Sequence, residues 1–284
     1  MNWFANIYQK YLSRSIVEKI IVINIILFVL TYLFNTLSFL FKVDENLIIE
    51  WFSLQPEFDI LLYKPWSIIS YGFLHIGFFH ILFNLLVLFY FGNLFIDFFK
   101  SQQFLAYYFL GIVSGGLIYM LSYNYLPGLK TQQTLLVGAS AGVTAIVIGI
   151  ASHIPSYALR FRFIGSIKLS SIAIAMVLLD VVQIPNGNAG GHLAHLGGAL
   201  LGFVMTRYLN QGSGLVAWTD QLFRPKEKRP LKTVYKSDKK PYRPSGNKSN
   251  DQARIDAILD KISKSGYDTL TKEEKDFLFK AGKK

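Results

Sequence analysis

The chain has 284 residues, of which 52% are hydrophobic and 15% aromatic, and its formal net charge is +11. Charged residues make up 17% of the chain, whereas a soluble domain usually has about 25%, so the composition favours a multi-pass membrane protein. The sequence contains no cysteine, which excludes disulfides, thiolate metal sites and a cysteine nucleophile.

Taken in order, residues 1–18 are predicted to form a cytoplasmic interfacial N-terminus, and residues 19–210 a domain of six membrane-spanning helices. The predicted spans are 20–41, 73–99, 104–126, 139–151, 169–184 and 193–209. Each span must be helical, because hydrocarbon offers no hydrogen-bond partner for free backbone groups.

Basic residues mark alternate connections between these spans. They are Lys10, Arg14, Lys19, Lys100, Arg160, Arg162, Lys168 and Arg207. By the positive-inside rule, both termini are expected in the cytoplasm. The second, fourth and sixth spans then all run from the outer side towards the cytoplasm.

The composition changes after the sixth span. Residues 211–250 are predicted to form a basic flexible linker, and residues 251–284 a small cytoplasmic helical hairpin, with Thr271 and Glu274 in a capping-box pattern. The basic excess of this tail favours retention near anionic lipid over nucleic-acid binding, since no nucleic-acid-binding motif accompanies it.

Four polar side chains fall near the outer ends of three spans. His80 and Asn84 lie early in the second span, Ser140 begins the fourth, and His195 lies near the start of the sixth. A serine hydroxyl becomes a nucleophile when a base takes its proton, and a neutral imidazole is the usual base. The shared depth predicts a Ser140–His195 dyad for nucleophilic acyl transfer.

The oxyanion of such a reaction needs preorganised donors. Ser140 begins a helix, so its backbone N–H is free of an intrahelical partner, and His80 and Asn84 can add side-chain donors. Small residues are expected to bring the fourth and sixth spans close enough for the dyad to form. These are Gly138, Gly142, Ala194, Gly198 and Gly202.

Each of these residues also has a purely structural interpretation. A serine in a membrane helix often bonds to the carbonyl four residues earlier, and His80 and Asn84 share a helix face where they could join two helices. No acid is placed by its spacing to complete a triad. Asp180, near the outer end of the fifth span, could act directly, pack between helices or contact water.

Three motifs together resemble the rhomboid intramembrane serine proteases. They are the run HIGFFHILFN from His75 to Asn84, the run GASA from Gly138 to Ala141, and the run AHLGG from Ala194 to Gly198. The resemblance covers about residues 15–210 and implies an all-α membrane protein with a six-helix rhomboid-like bundle, of the bacterial type with a C-terminal cytoplasmic extension.

The same resemblance assigns roles to residues. It implies Ser140 as nucleophile and His195 as general base, with His80, Asn84 and the Ser140 backbone N–H as oxyanion hole. It implies supporting positions for Gly138, His75, as a structural or water-linking histidine, and Gly198. The chain departs from the family pattern where Ala141 replaces a glycine and where Ser67 follows Trp66 in place of arginine.

The expected function is that of an intramembrane serine endopeptidase that cleaves single-pass membrane proteins in or next to their transmembrane helices. The site is expected to open towards the outer side of a bacterial inner or cell membrane, with the glycine-rich segment 185–191 as a mobile cap. We expect no cofactor, no metal ion and no nucleic acid. The alternative is a catalytically silent rhomboid-like chaperone or scaffold that binds membrane helices.

Overall fold

Long α-helices form most of the described part of the chain. The computed structural model describes residues 9–42, 47–130, 134–162, 165–210 and 248–282. The helices are α1 (Ile16–Phe41), α2 (Leu47–Phe52), α3 (Phe58–Tyr63), α4 (Ser67–Ser70), α5 (Phe78–Phe98), α6 (Ser101–Tyr125), α7 (Ser140–His153), α8 (Leu169–Gln183), α9 (Ala189–Asn210), α10 (Lys248–Ser265) and α11 (Lys272–Ala281).

Four helical segments of the described chain are long and apolar enough to cross a membrane: α1, α5, α6, and α8 together with the 3₁₀ turn that continues it to Asn186. Helix α7 is apolar but has only 14 residues, and α9 carries two histidines and Arg207. The prediction of an all-α integral membrane protein is confirmed, and the count of six crossings stays a prediction. The proposed interfacial N-terminus is described only from residue 9 onwards.

Helices α6, α7 and α9 form the densest part of the core, and small residues allow their close approach. A methyl group on Gly198 of α9 would run into the backbone carbonyl oxygen of Ala141 on α7, and one on Gly202 into that of Ala145. On α6, a methyl on Gly115 would lie 2.5 Å from the Ala141 side chain. The small-residue stripe expected on α9 therefore lies at the contact with α7.

A short antiparallel hairpin between α7 and α8 was not predicted. Strand β1 (Ala158–Phe161) pairs with β2 (Gly165–Lys168), with Leu159 opposite Ile167. The sequence indicated only a connection with basic residues here. Gly165, with φ +86°, is the local signal for the turn.

The connection between α1 and α5 is anchored by aromatic contacts. Trp66 stacks on Trp51 with ring centroids 6.2 Å apart, and its Nε1 donates to the Trp51 carbonyl at 2.9 Å. Lys64 lies 4.8 Å from the centre of the Trp51 ring. In this chain the buried Ser67 stands where the family pattern has arginine, and these contacts of Trp66 and Lys64 hold the connection in place.

Residues 248–282 form a second compact unit. Thr271 caps α11 in the predicted capping box, and Glu274 accepts hydrogen bonds from the Thr271 backbone N–H and from Lys261, at 2.8 and 2.9 Å. These bonds hold the pKa of Glu274 below its ordinary value. Residues 211–247 of the linker proposed at 211–250 lie outside the described part of the chain. The domain boundaries stay predictions.

Candidate active site

Ser140 is the first residue of α7, directly after a turn that requires glycine. Gly138 has φ +123°, and its N–H donates to the Tyr71 carbonyl at 2.9 Å. A methyl on Gly138 would also lie 2.7 Å from His80 Nε2. Both its backbone conformation and its contact with His80 therefore favour glycine two residues before the serine.

The Ser140 hydroxyl bonds to an imidazole on another helix. Ser140 Oγ lies 2.7 Å from Nε2 of His195. At the first position of α7 the serine has no carbonyl of its own helix four residues earlier, so the alternative of a bond back to its own helix does not apply. The structure thus brings together the two residues expected to form a dyad.

An acid extends this chain of contacts, and among the three interpretations left open for Asp180 the geometry favours a direct one. Asp180 Oδ1 on α8 lies 2.8 Å from His195 Nδ1 and also 2.8 Å from His192 Nδ1. Because an ionised carboxylate only accepts, both imidazoles donate their Nδ1–H to it. Nε2 of His195 then keeps a lone pair that accepts the Ser140 proton.

His192 had no assigned role in the sequence analysis. It precedes His195 by three residues, a spacing that places both on one face of a helix, and this spacing was the available signal. The contact with Asp180 could not be seen in the same way, because it joins α8 to α9 across 12 and 15 residues of sequence.

The two residues expected to complete the oxyanion hole lie beside Ser140. His80 and Asn84 line a cavity of about 390 Å³ together with Ser140 and His195. The Asn84 amide donates one hydrogen to the His80 carbonyl at 2.9 Å. An amide nitrogen carries two hydrogens, so a second donor remains for a ligand in the cavity.

His75 lies behind these residues. It is 2% exposed, and its ring meets the His80 ring edge-on at 5.0 Å between centroids. Within the described part of the chain, neither of its ring nitrogens has a hydrogen-bond partner. His75 therefore packs against His80 from the interior, and its supporting role stays a prediction.

A second cavity, of about 280 Å³, approaches the same pair from between α5 and α8. Its walls include Phe83 on α5 and Met176 and Leu179 on α8, and it reaches Ser140 and His195. Phe83 and Leu179 are 61% and 58% exposed. One side of the site thus opens between two apolar helices.

The glycine-rich segment, expected to act as a mobile cap, has a defined local geometry in the structure. Residues Ile184–Asn186 form a 3₁₀ turn and α9 already begins at Ala189. Asn188 accepts a hydrogen bond from the Gly191 N–H at 3.3 Å, which is an N-terminal helix cap. The segment 185–191 therefore contains the turn and the cap at which α9 starts, and its role as a mobile cap stays a prediction.

Fold and site together define an α-helical integral membrane protein in which a serine and a histidine from two closely packed helices are hydrogen-bonded. A model of the Rhomboid domain matches residues 63–212, more than half of the chain. The chain belongs to the rhomboid family.

A curated relative and a second family match were also found. The RHOMBOID-like protein 12, mitochondrial, of Arabidopsis thaliana is 27% identical over 158 residues, which cover 51% of this chain and 47% of the relative. The chain thus spans about half the length of the curated relative it matches. Residues 243–283 match a family of unknown function, DUF6576.

Proposed function

We propose that this protein is a serine endopeptidase that cleaves other membrane proteins within the bilayer. The observation that carries the proposal is the continuous set of hydrogen bonds from Ser140 through His195 to Asp180, each 2.7–2.8 Å long. This order of groups is the general arrangement of an activated nucleophile: hydroxyl, imidazole base and an orienting partner.

In the proposed reaction, His195 Nε2 takes the hydroxyl proton as Ser140 Oγ attacks the carbonyl carbon of a peptide bond. Asp180 holds the ring in the required tautomer and stabilises the imidazolium that forms. The oxyanion lies near the N-terminus of α7, where the Ser140 N–H, His80 and Asn84 supply donors. His195 then protonates the leaving amine, and water hydrolyses the acyl-enzyme.

Two cavities support transmembrane segments as the proposed substrate class. The cavity between α5 and α8 is lined by apolar side chains that face outward, which suits an apolar transmembrane segment entering sideways. The cavity beside His80 is lined by polar groups and by the loop residues Leu135 and Asn188, which suits the entry of water. A transmembrane helix must unwind to present its carbonyl, so substrates with helix-weakening residues near the cut are expected.

The basic residues predict that both termini are cytoplasmic and that the site lies towards the outer side. Placement in a bacterial cell membrane is what the resemblance to bacterial members of the family implies, and it remains a prediction.

Cleavage of single-pass reporters tests the proposal. The purified protein in detergent micelles is mixed with a set of reporters whose transmembrane segments carry small and helix-weakening residues, and products are mapped by mass spectrometry. We expect cuts in or next to the apolar segment with the wild type and none with Ser140→Ala. Reporter binding without cleavage, equal in both proteins, would instead support a helix-binding scaffold.

A further inference from the structure

Three side chains that commonly bind metal ions meet beside the reactive serine. Asp180 Oδ1 lies 2.8 Å from Nδ1 of both His192 and His195, and the three atoms lie within 4.8 Å of one another. The side chains are 11%, 14% and 23% exposed, respectively. The group is therefore half-enclosed and still within reach of a small ion.

The geometry suits one class of ion. Around a tetrahedral Zn²⁺ with ligands at about 2.0–2.1 Å, neighbouring ligand atoms are roughly 3.3 Å apart, so Asp180 Oδ1 and each histidine Nδ1 would need to separate by only about half an ångström from the 2.8 Å observed here. Two imidazoles and one carboxylate are a common zinc ligand set that leaves a fourth position for water. Mg²⁺ and Ca²⁺ prefer oxygen ligands and fit it poorly.

We propose that Asp180, His192 and His195 form an inhibitory Zn²⁺ site that switches off the protease. The inference rests on the proposed function for its effect on activity, and on the three ligand atoms alone for binding. It departs from the sequence-based expectation that the chain holds no metal, because the contact between α8 and α9 brings these three groups together.

Inhibition follows from the position of one hydrogen. To bind Zn²⁺ through Nδ1, His195 must move its ring hydrogen from Nδ1 to Nε2, and His192 does the same, so no proton is gained or lost. Nε2 of His195 then donates to Ser140 Oγ and has no lone pair to accept the hydroxyl proton. The nucleophile stays protonated, and the Asp180 carboxylate is engaged by the metal.

The ion would also join two helices that pack differently. Asp180 lies on α8, where among the 15 residues it is one of two that are buried, and both histidines lie on α9. A bound ion fixes the outer part of α8 to α9, next to the cavity between α5 and α8.

The first experiment measures the rate of labelling by a fluorophosphonate probe in detergent micelles while ZnCl₂ is raised from nanomolar to 100 micromolar concentrations. We expect at least a tenfold slower rate with zinc, full recovery with EDTA, and no effect of MgCl₂. Wild-type protein that labels without metal and is insensitive to zinc would overturn the site.

Matched variants locate the effect. In His192→Asn, the amide Nδ2–H can replace the Nδ1–H that bonds to Asp180, but the imidazole ligand is lost. We expect at least a tenfold higher zinc concentration for half-inhibition, each rate being normalised to the same variant without metal. His153→Gln removes a histidine packed on Phe99 and should respond as the wild type. Equal zinc sensitivity of His192→Asn and the wild type would overturn the proposal.

Direct binding separates this inference from the proposed function. Ser140→Ala keeps all three ligands, so calorimetry should show one Zn²⁺ bound per chain, and Ser140→Ala/His192→Asn should bind at least tenfold more weakly. If Ser140→Ala binds zinc but the wild-type protein is never labelled by the probe, the proposed protease activity is contradicted and the metal site is still supported. Absence of binding to Ser140→Ala would contradict the metal site alone.

Discussion

Helices α7 and α8 both contribute to the site, but they are packed very differently. Eleven of the 14 residues of α7 are buried, against two of the 15 in α8, Leu169 and Asp180. The nucleophile therefore sits on a helix fixed on nearly all sides, whereas the acid sits on a helix that faces outward along most of its length.

This difference divides the site into a tightly packed part, formed by α7 and α9, and a loosely packed part, formed by α8. The distance between Ser140 and His195 is set by backbone contacts between α7 and α9, where glycines leave no room for movement. The outer part of α8 depends instead on the bonds from Asp180 to the two histidines. Substitutions on α7, α8 and α9 test this division.

The largest effect is expected from Gly198→Val. The new side chain would meet the Ala141 carbonyl oxygen, and backbone cannot move aside as a flexible side chain can. We expect a cost of about 3 kcal/mol or more, at or above the usual range for overpacking, and loss of activity. Thermal unfolding in detergent measures it, with Leu200→Val on the outward face of α9 as control. A Gly198→Val protein as stable as Leu200→Val would show that the contact is not tight.

Asp180→Asn is expected to reduce activity with little change in stability. An amide can still accept one hydrogen bond from an imidazole, but it supplies no negative charge to the imidazolium. We expect a roughly 10- to 100-fold lower rate of probe labelling, below the 10²–10⁴-fold typical of a whole general base. Leu178→Ala, at an outward position of the same helix, serves as control. An unchanged labelling rate would show that Asp180 contributes to packing and not to the reaction.

Met176→Trp tests whether the opening beside α8 admits substrate. The larger side chain would fill the cavity between α5 and α8, so cleavage of a transmembrane reporter should slow roughly tenfold, equivalent to about 1.4 kcal/mol. Labelling by the small fluorophosphonate should change less than about twofold, because it can enter beside His80. Equal slowing of both reactions would indicate that the substitution damages the active site. If neither reaction slows, the substrate reaches the site by another route.

The same substitution is expected to have different effects on the two helices. Val147 on α7 is fully buried and Val182 on α8 is 64% exposed. Val147→Ala should lower the free energy of unfolding by about 1–2 kcal/mol, and Val182→Ala by less than about 0.5 kcal/mol. Parallel unfolding curves in the same detergent decide this. Equal costs would mean that α8 is packed as firmly as α7.

The same contrast explains what could be predicted from the sequence. The Ser140–His195 pair could be anticipated because each residue lies in a local motif and because Gly198 and Gly202, four residues apart, mark the face of α9 that approaches α7. The all-helical membrane architecture followed from apolar length alone.

The remaining parts depend on contacts between elements with no local signal. Nothing in the spacing of Asp180 shows that it turns towards α9, because its helix has almost no buried stripe from which to read a direction. The start of α9 at Ala189 was missed because Gly190 and Gly191 suggested a loop, whereas the Asn188 cap begins a helix there. The aromatic contact of Trp66 with Trp51 likewise joins residues 15 apart.

The most direct test of the proposed chemistry is covalent labelling of full-length protein by a fluorophosphonate, with the modified residue located by peptide mass spectrometry. The serine–histidine account predicts one adduct, on Ser140, that is absent in Ser140→Ala and at least about 100-fold slower to form in His195→Ala. A folded wild-type protein that never forms the adduct, or one that forms it equally fast without His195, would contradict it.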